Sequence, residues 1–343
     1  MPNSKHILVL RFSAMGDVAM TVPVLRAFTE QYPDVKITVV TRAFFKPIFK
    51  GLRNTEIYVA DFKGKHKGLF GLYTLAKELK QLEFDEVADL HNVLRTKILK
   101  FFFSGKKLVQ INKGRLEKKN LIGGKQFQQL KTTHQRYTDV FAKLGYQIKL
   151  TEPSFPKKAS LSQELRLFIF NPSNKTIGIA PFAAHESKMY PLEKMELVIS
   201  ELAIDYNIVL FGGGKKEINY LTALAEKFDG VASVAGKISF ENELHLISNL
   251  DLMLSMDSGN AHLAAMFGVK VITIWGVTHP YAGFSPFNQP EDYALLADRD
   301  QFPLIPTSVY GNKFPEGYLQ AAGSISVDTI VNKIKSIIPL KKV

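Results

Sequence analysis

Residues 252–275 constrain this chain most. The run LMLSM at 252–256 reads as a buried strand, DSGNAH at 257–262 as an abrupt polar turn opening a helix, and LAAMF at 263–267 as that helix, closed by Gly268. A second apolar strand, VKVITIW at 269–275, follows at once. This is the pattern of a parallel α/β sheet, which places ligands at its strand-to-helix turns. The N-terminus of such a helix offers free N–H groups and a positive dipole end to an anion. Ser258 and Gly259 let backbone amides come close to a phosphate. Asp257 would repel a phosphate and suits the hydroxyls of a sugar. His262 lies one turn into the helix. The same residues also fit an ordinary Asp/Ser N-cap before a structural helix.

The rest of the chain repeats the theme twice. Strand patterns at 6–10, 36–41, 57–61, 86–90 and 107–111 alternate with helical spacing at 18–31, 69–82, 93–103 and 133–144, and residues 112–125 read as a loop rich in Lys and Gly. Residues 151–166, with two prolines and several serines, have linker composition. The pattern then restarts. Strands are expected at 176–180, 207–211 and 231–234, and helices at 192–205, 218–228 and 240–248. Residues 276–323 read as irregular, before a final helix at 327–338. Repeated βα units imply parallel, doubly wound sheets. The expected fold is α/β, with two Rossmann-like lobes and a cleft between them. The expected domains are 1–160, 161–325, and a closing segment 326–343 that packs back on the first domain.

A length of 343 residues suits two domains, and 46% hydrophobic residues suffice for two cores. No run of about 18 apolar residues predicts a transmembrane helix, and the N-terminus reads as a first strand, not a signal peptide. The absence of cysteine excludes disulfides and thiolate metal sites and leans toward the cytoplasm. The net charge of +12 is uneven: residues 1–166 hold 30 Lys+Arg against 14 Asp+Glu, and residues 167–343 hold 14 against 18. The first half is built to face something anionic: nucleic acid, an anionic membrane surface or a polyanionic glycolipid.

Four further turns are candidates. The first strand ends in RFSAMGDV at 11–18, a small-residue turn opening a helix, where Asp17 is either a helix-terminal charge or a general base. Lys188 follows the 176–180 strand, just before Tyr190–Pro191, where a lone ammonium suits a phosphate oxygen or is simply solvated. The turn GGGKKE at 212–217 allows close approach at Gly213. Its Glu217 binds ribose hydroxyls or serves as a first-turn helix acid. Gly276–Thr278 ends the last strand of the opening motif. Convergence on one rim points to a diphosphate-linked nucleotide. No metal constellation is visible.

The turn at 11–18, Lys188 before Tyr–Pro, the Gly-rich turn, and SMDSGNAH at 255–262 followed by Trp275–Gly276 together resemble glycosyltransferase family 9, the ADP-heptose:lipopolysaccharide heptosyltransferases. The resemblance runs in order over nearly the whole chain. It implies a GT-B fold, donor in the C-terminal lobe and acceptor on the N-terminal lobe, and inverting, metal-independent transfer of heptose from ADP-heptose to the inner core of lipopolysaccharide, with no cofactor. It casts Asp17 as the general base, Lys188 as the diphosphate ligand, and Asp257, Ser258, Gly259 and His262 as the donor-binding turn, with Gly213, Glu217 and Gly276 beside them. Ser13, Gly16, Arg42 and Arg95 are expected acceptor contacts, as are Lys46, Lys97, Lys100 and the basic loop 113–125. Tyr190 stands where many relatives carry Trp, and residues 296–323 lack the cysteines some relatives have there. The implied protein is cytoplasmic and peripheral at the inner membrane, with an anionic glycolipid acceptor and no nucleic acid. Phe101–Phe103 belong to the core or touch the membrane interface. The alternatives are the same fold moving another nucleotide-linked sugar to a different envelope glycan, and a non-enzymatic binder of anionic lipid or polyanion.

Overall fold

The computed structural model describes residues 5–340; residues 1–4 and 341–343, the outermost parts of the first and last expected domains, lie outside the described residues. The chain divides into two compact units. One comprises residues up to Lys113 together with Lys131–Phe155; the other comprises Gly114–Leu130 and everything from Pro156 on.

In the first unit, five parallel strands, β1 (His6–Leu10), β2 (Lys36–Thr41), β3 (Thr55–Val59), β4 (Glu86–Asp89) and β5 (Lys107–Gln110), lie in the order β3-β2-β1-β4-β5. Helices α1 (Met15–Ala19), α2 (Thr21–Gln31), α3 (Gly68–Lys80) and α4 (Leu94–Phe102) follow the strands; α5 (Arg115–Ile122) belongs to the other unit, and α6 (Thr133–Leu144) returns to this one. β1 is buried along its whole length, as a strand with both faces covered must be. Leu72, Leu75 and Leu79 of α3 and Leu99 and Phe103 from the α4 region pack on Leu8, Leu10 and Val87 of the sheet. The single helix expected over 18–31 is two, because Pro23 is tolerated only in a first turn and α2 starts at Thr21 to accommodate it. α6 has the expected bounds. A Thr132–Gln135 capping box starts it, and Gly145 at φ 113° ends it.

The second unit holds six parallel strands, β6 (Thr176–Ala180), β7 (Asn207–Leu210), β8 (Val231–Ser233), β9 (Leu252–Met256), β10 (Lys270–Trp275) and β11 (Ala294–Leu296), in the order β11-β10-β9-β6-β7-β8. This is the doubly wound dinucleotide-binding order. Its helices are α7 (Gln163–Arg166), α8 (Leu192–Ala203), α9 (Lys215–Ala225), α10 (Phe240–Ile247), α11 (Gly259–Ala265) and α12 (Val327–Ile337).

The structure differs from the expected organisation in three places. The chain passes to the second unit at Phe155/Pro156, five residues before the expected boundary. Residues 114–130, expected as a loop of the first domain, form α5 and a strap on the second unit. Leu121 and Leu130 bury with Ala282, the Leu130 amide donates to the Tyr281 carbonyl at 3.0 Å, and the Lys118 ammonium sits 3.9 Å from the Phe284 ring centre. The closing helix α12, expected to pack on the first domain, places its apolar residues Ile330, Val331 and Ile334 in the second unit's own core, against α8. The correction follows from the i, i+1, i+4 stripe that those residues form, which the α8 side of the sheet already matches. The strand β11 was not legible within the irregular stretch 276–323; it is three residues long and adds to the edge of β10.

Candidate functional site

In the second sheet the strand order reverses between β6 and β9, and ligands of open α/β sheets bind at the carboxyl ends of such strands. Lys188 follows β6 and Asp257 follows β9. The structure brings them together: Lys188 Nζ lies 2.8 Å from Asp257 Oδ2, with side chains only 12% and 10% exposed. Thr278, from the turn after β10, donates its hydroxyl to the same oxygen at 2.9 Å. Three neighbouring strand ends thus meet on one carboxylate.

Backbone detail explains how the ammonium is held there. Gly276 has no room for a side chain, since a Cβ would lie 2.4 Å from the Ser187 carbonyl oxygen, and Val277 donates its amide to that same carbonyl at 3.2 Å. Gly311, at φ +82°, lies against the stem of Lys188; a Cβ there would come within 2.5 Å of Lys188 Cγ. The Ser187 hydroxyl donates to the Gly311 carbonyl. Gly311, within the expected irregular stretch 276–323, therefore lies directly against the lysine and its neighbour Ser187. Sequence reading missed it because nothing local links residue 311 to residue 188.

Ser258 is the N-cap residue of α11 in extended conformation, yet its side chain does not cap the helix; its hydroxyl pairs with that of Ser255 at 3.0 Å. Gly259 begins the helix and His262 is buried within it. At the β7 turn, Glu217 folds back so that the Gly213 amide donates to its Oε2 at 2.7 Å, a local helix-start role. Gly213 itself faces open space, whereas Gly212 packs against Leu221 and Gly214 adopts φ +90°.

The first sheet reverses between β1 and β4. Asp17, in the first turn of α1, pairs with Arg11 Nη2 at 2.7 Å; the arginine side chain is 6% exposed and the aspartate 30%. The guanidinium also donates to the Leu90 carbonyl at 2.7 Å, spanning the two strand ends. Beneath, the fully buried Tyr137 donates its hydroxyl to the Asp17 carbonyl at 3.2 Å. His91, after β4, accepts from the Phe12 amide through Nδ1 at 3.4 Å. Burial, then the charges of Arg11, Lys113, Arg42 and Arg95, push its imidazole down to about 3, so it is neutral near pH 7. Arg42 and Arg95 are exposed and Ser13 and Gly16 half-buried around the same strand ends. Arg95 also lies over the Phe62 ring, at 5.1 Å. Arg11, His91 and Tyr137 escaped the sequence reading. Arg11 is the one with a signal, a charge closing an otherwise apolar strand.

The run at 101–103 divides: Phe103 is buried, Phe102 half-buried and Phe101 79% exposed. Among the described residues no group of three His, Asp or Glu side chains is placed to hold a metal ion. No described helix is long and apolar enough to cross a membrane.

Comparison with known proteins bears on the fold and the family. The chain is 26% identical over 308 residues to the lipopolysaccharide core heptosyltransferase OpsX of Haemophilus influenzae, covering 86% of each chain. It is 25% identical over 307 residues to lipopolysaccharide heptosyltransferase 3 of Escherichia coli, covering 83% of this chain and 89% of that one. Among solved structures, a family 9 glycosyltransferase from Veillonella parvula superposes with a TM-score of 0.75 at 19% identity over 98% of both chains. The E. coli heptosyltransferase WaaC with ADP superposes at 0.65 and 18% identity, covering 97% of this chain and 99% of that one. The family model for glycosyltransferase family 9 (heptosyltransferase) matches residues 72–300, about two thirds of the chain. The chain therefore belongs to glycosyltransferase family 9 and is a glycosyltransferase with two Rossmann-like lobes of the GT-B kind.

Proposed function

We propose that the protein moves heptose from ADP-heptose to the inner core of lipopolysaccharide, with inversion and without a metal. The observation that carries this reading is the Lys188–Asp257–Thr278 cluster at the switch point of the second sheet. Both partners of Asp257 meet its Oδ2, so Oδ1 is the oxygen offered to a donor sugar hydroxyl. Lys188 would turn to the leaving diphosphate, stabilising the charge that grows as the glycosidic bond breaks. Ser258 and Gly259 supply amides, Gly276 keeps the rim close, and His262, Gly213 and Glu217 border the nucleotide. The WaaC structures with ADP and with ADP-2-deoxy-2-fluoro heptose support an ADP-linked donor.

Inversion needs a single displacement, one base and no covalent intermediate. Asp17 fills that role: it is partly exposed and oriented by Arg11. It lies outside the residues the family model matches, so its assignment rests on the geometry of the first sheet's switch point. Arg42 and Arg95, with Ser13 and Gly16, would meet the acceptor. The excess of cations in residues 1–166 fits an anionic glycolipid, and hence a peripheral position at the cytoplasmic face of the inner membrane. The relatives' names as lipopolysaccharide heptosyltransferases support that acceptor class. Nucleic acid is not a partner in this reading.

Calorimetric titration with ADP, UDP and GDP, without added metal, tests the donor. Selective ADP binding is expected, followed by heptose transfer from ADP-heptose. Preference for UDP or GDP would replace the sugar donor while keeping the site, and binding of none would overturn the reading.

A further inference from the structure

The exposed apolar side chains of the first unit are not scattered. Phe70 is 90% exposed, Leu69 66% and Tyr73 51% on α3; Phe101 is 79% and Leu94 74% exposed on α4. Leu69 and Phe70 precede Tyr73 by four and three residues, so the three share one side of α3. Leu94 and Phe101 are seven apart and share one side of α4. The two helices pack on each other, and Tyr73 meets Phe102 with ring centres 5.5 Å apart. Single exposed apolar residues need no explanation, but a contiguous cluster on two adjacent helices marks a contact surface.

The polar residues around it have one sign. The two helices carry Lys77, Lys80, Arg95, Lys97 and Lys100 against a single acid, Glu78. Glu78 is already engaged by Lys65, His66 and Tyr58. The loop leading into α3 adds exposed Lys63 and Lys67, and its Asp61 carboxylate is occupied by backbone amides of Lys63, Gly64 and Lys65. Large apolar side chains flanked by lysines are what an anionic bilayer surface selects: rings enter the acyl boundary while ammonium groups meet the headgroups. A protein partner of ordinary composition would not need so uniform a charge.

We propose that the α3–α4 face, with Phe70 and Phe101 as its inserting side chains, docks the enzyme on an anionic phospholipid bilayer. The proposal rests on the reading of a membrane-borne acceptor but names the surface and does not depend on the sugar transferred.

The test is flotation of the full chain with vesicles of phosphatidylethanolamine doped with phosphatidylglycerol, compared with vesicles of phosphatidylcholine alone, neither containing glycolipid. Binding to the anionic vesicles, weakened by salt, is expected. Phe70→Ser with Phe101→Ser should lower vesicle affinity at least about tenfold. Both positions are solvent-exposed, so the circular dichroism spectrum and ADP affinity should be unchanged. Transfer to a soluble deacylated acceptor should also be unchanged, while transfer to acceptor in vesicles slows. No binding of the wild-type chain to anionic vesicles overturns the proposal, as does equal binding by the double variant. Concentration-dependent self-association that the double variant abolishes also overturns it, assigning the face to a second copy. Absence of heptose transfer by the wild-type chain with its lipid binding intact would instead overturn only the proposed reaction and leave this surface standing.

Discussion

Replacing Lys188 by Met tests the central cluster most sharply. The ion pair with Asp257 is close, at 2.8 Å, and nearly dry, with side chains 12% and 10% exposed. At an effective dielectric of about 20 the gross attraction over that distance is about 6 kcal/mol, but desolvation of two charges offsets most of it. Removing one partner is different, because the carboxylate stays buried with a single hydroxyl, that of Thr278. Such uncompensated burial costs about 3–5 kcal/mol, and the remaining Thr278 bond places Lys188→Met at about 3. Asp257→Asn in the same chain removes the stranded charge and should restore all but about 1 kcal/mol, a recovery of about 2 kcal/mol over the single variant. The chain has one tryptophan, Trp275, buried at the end of β10, so urea unfolding followed by its fluorescence reads the second unit directly. A Lys188→Met loss below about 1 kcal/mol, or a double variant as unstable as the single, would refute the reasoning.

Other outcomes follow from the same geometry. Asp17→Ala should abolish transfer and leave ADP affinity unchanged; an enzyme of normal rate removes Asp17 as the base. Lys188→Ala should weaken ADP binding at least about tenfold, about 1.4 kcal/mol, by calorimetry. Gly276→Ala forces a Cβ to within 2.4 Å of the Ser187 carbonyl and should reduce donor affinity and stability together, whereas Gly213→Ala, which meets open space in the protein, should leave stability unchanged. Burial and nearby cations hold His91 at about 3, and burial with Arg299 holds His279 at about 4. Both bind fewer protons folded than unfolded below the unfolded value of about 6.5. Their stabilisation is complete above that pH and is lost as pH falls toward 4 or 3. Each contributes about 1.4 kcal/mol per pH unit in that window. His91→Gln should flatten the acid limb of the stability curve by that amount, measured by urea midpoints from pH 7.5 to 5; an unchanged slope would place the imidazole in water.

What was legible in the sequence was what depends on local pattern. The apolar runs at 176–180 and 252–256 became β6 and β9 with those bounds, because a parallel strand buried on both faces leaves a continuous signature. The α6 bounds matched the helical spacing closed by Gly145, and the structure adds a Thr132 cap at its start. Asp257 and Lys188 could each be placed at a strand end, but not their contact, since it depends on β6 and β9 being spatial neighbours, with Ile177 paired to Leu252 far along the sequence. The strap at 114–130 misled for a physical reason: its lysines and glycines look like a solvated loop, while Leu121 and Leu130 bury against Ala282 and Phe127 packs against His279 and Tyr281. The same holds for α12, whose apolar stripe was visible but whose partner was not.

The two switch points share a device and differ in its chemistry. Each sheet puts a cation from one strand end against an aspartate after the turn: Arg11 with Asp17, Lys188 with Asp257. In the proposed reaction the choice of cation would separate their tasks. Arg11 has a planar fork, and its second arm is fixed on the Leu90 carbonyl, so it holds the Asp17 carboxylate in one orientation. A base that must meet an acceptor hydroxyl benefits from that fixity. Lys188 is a single rotatable ammonium on a flexible stem, with Gly311 against that stem and its head paired with Asp257. A diphosphate arriving at the rim can draw such a head away without rebuilding a forked contact. In the proposed reaction the departing lysine would leave Asp257 to sugar hydroxyls and Thr278, so each charge freed by opening the pair would have a ligand group to receive it. An arginine at 188 and a lysine at 11 would exchange these properties, fixing the group that must move and loosening the one that must not.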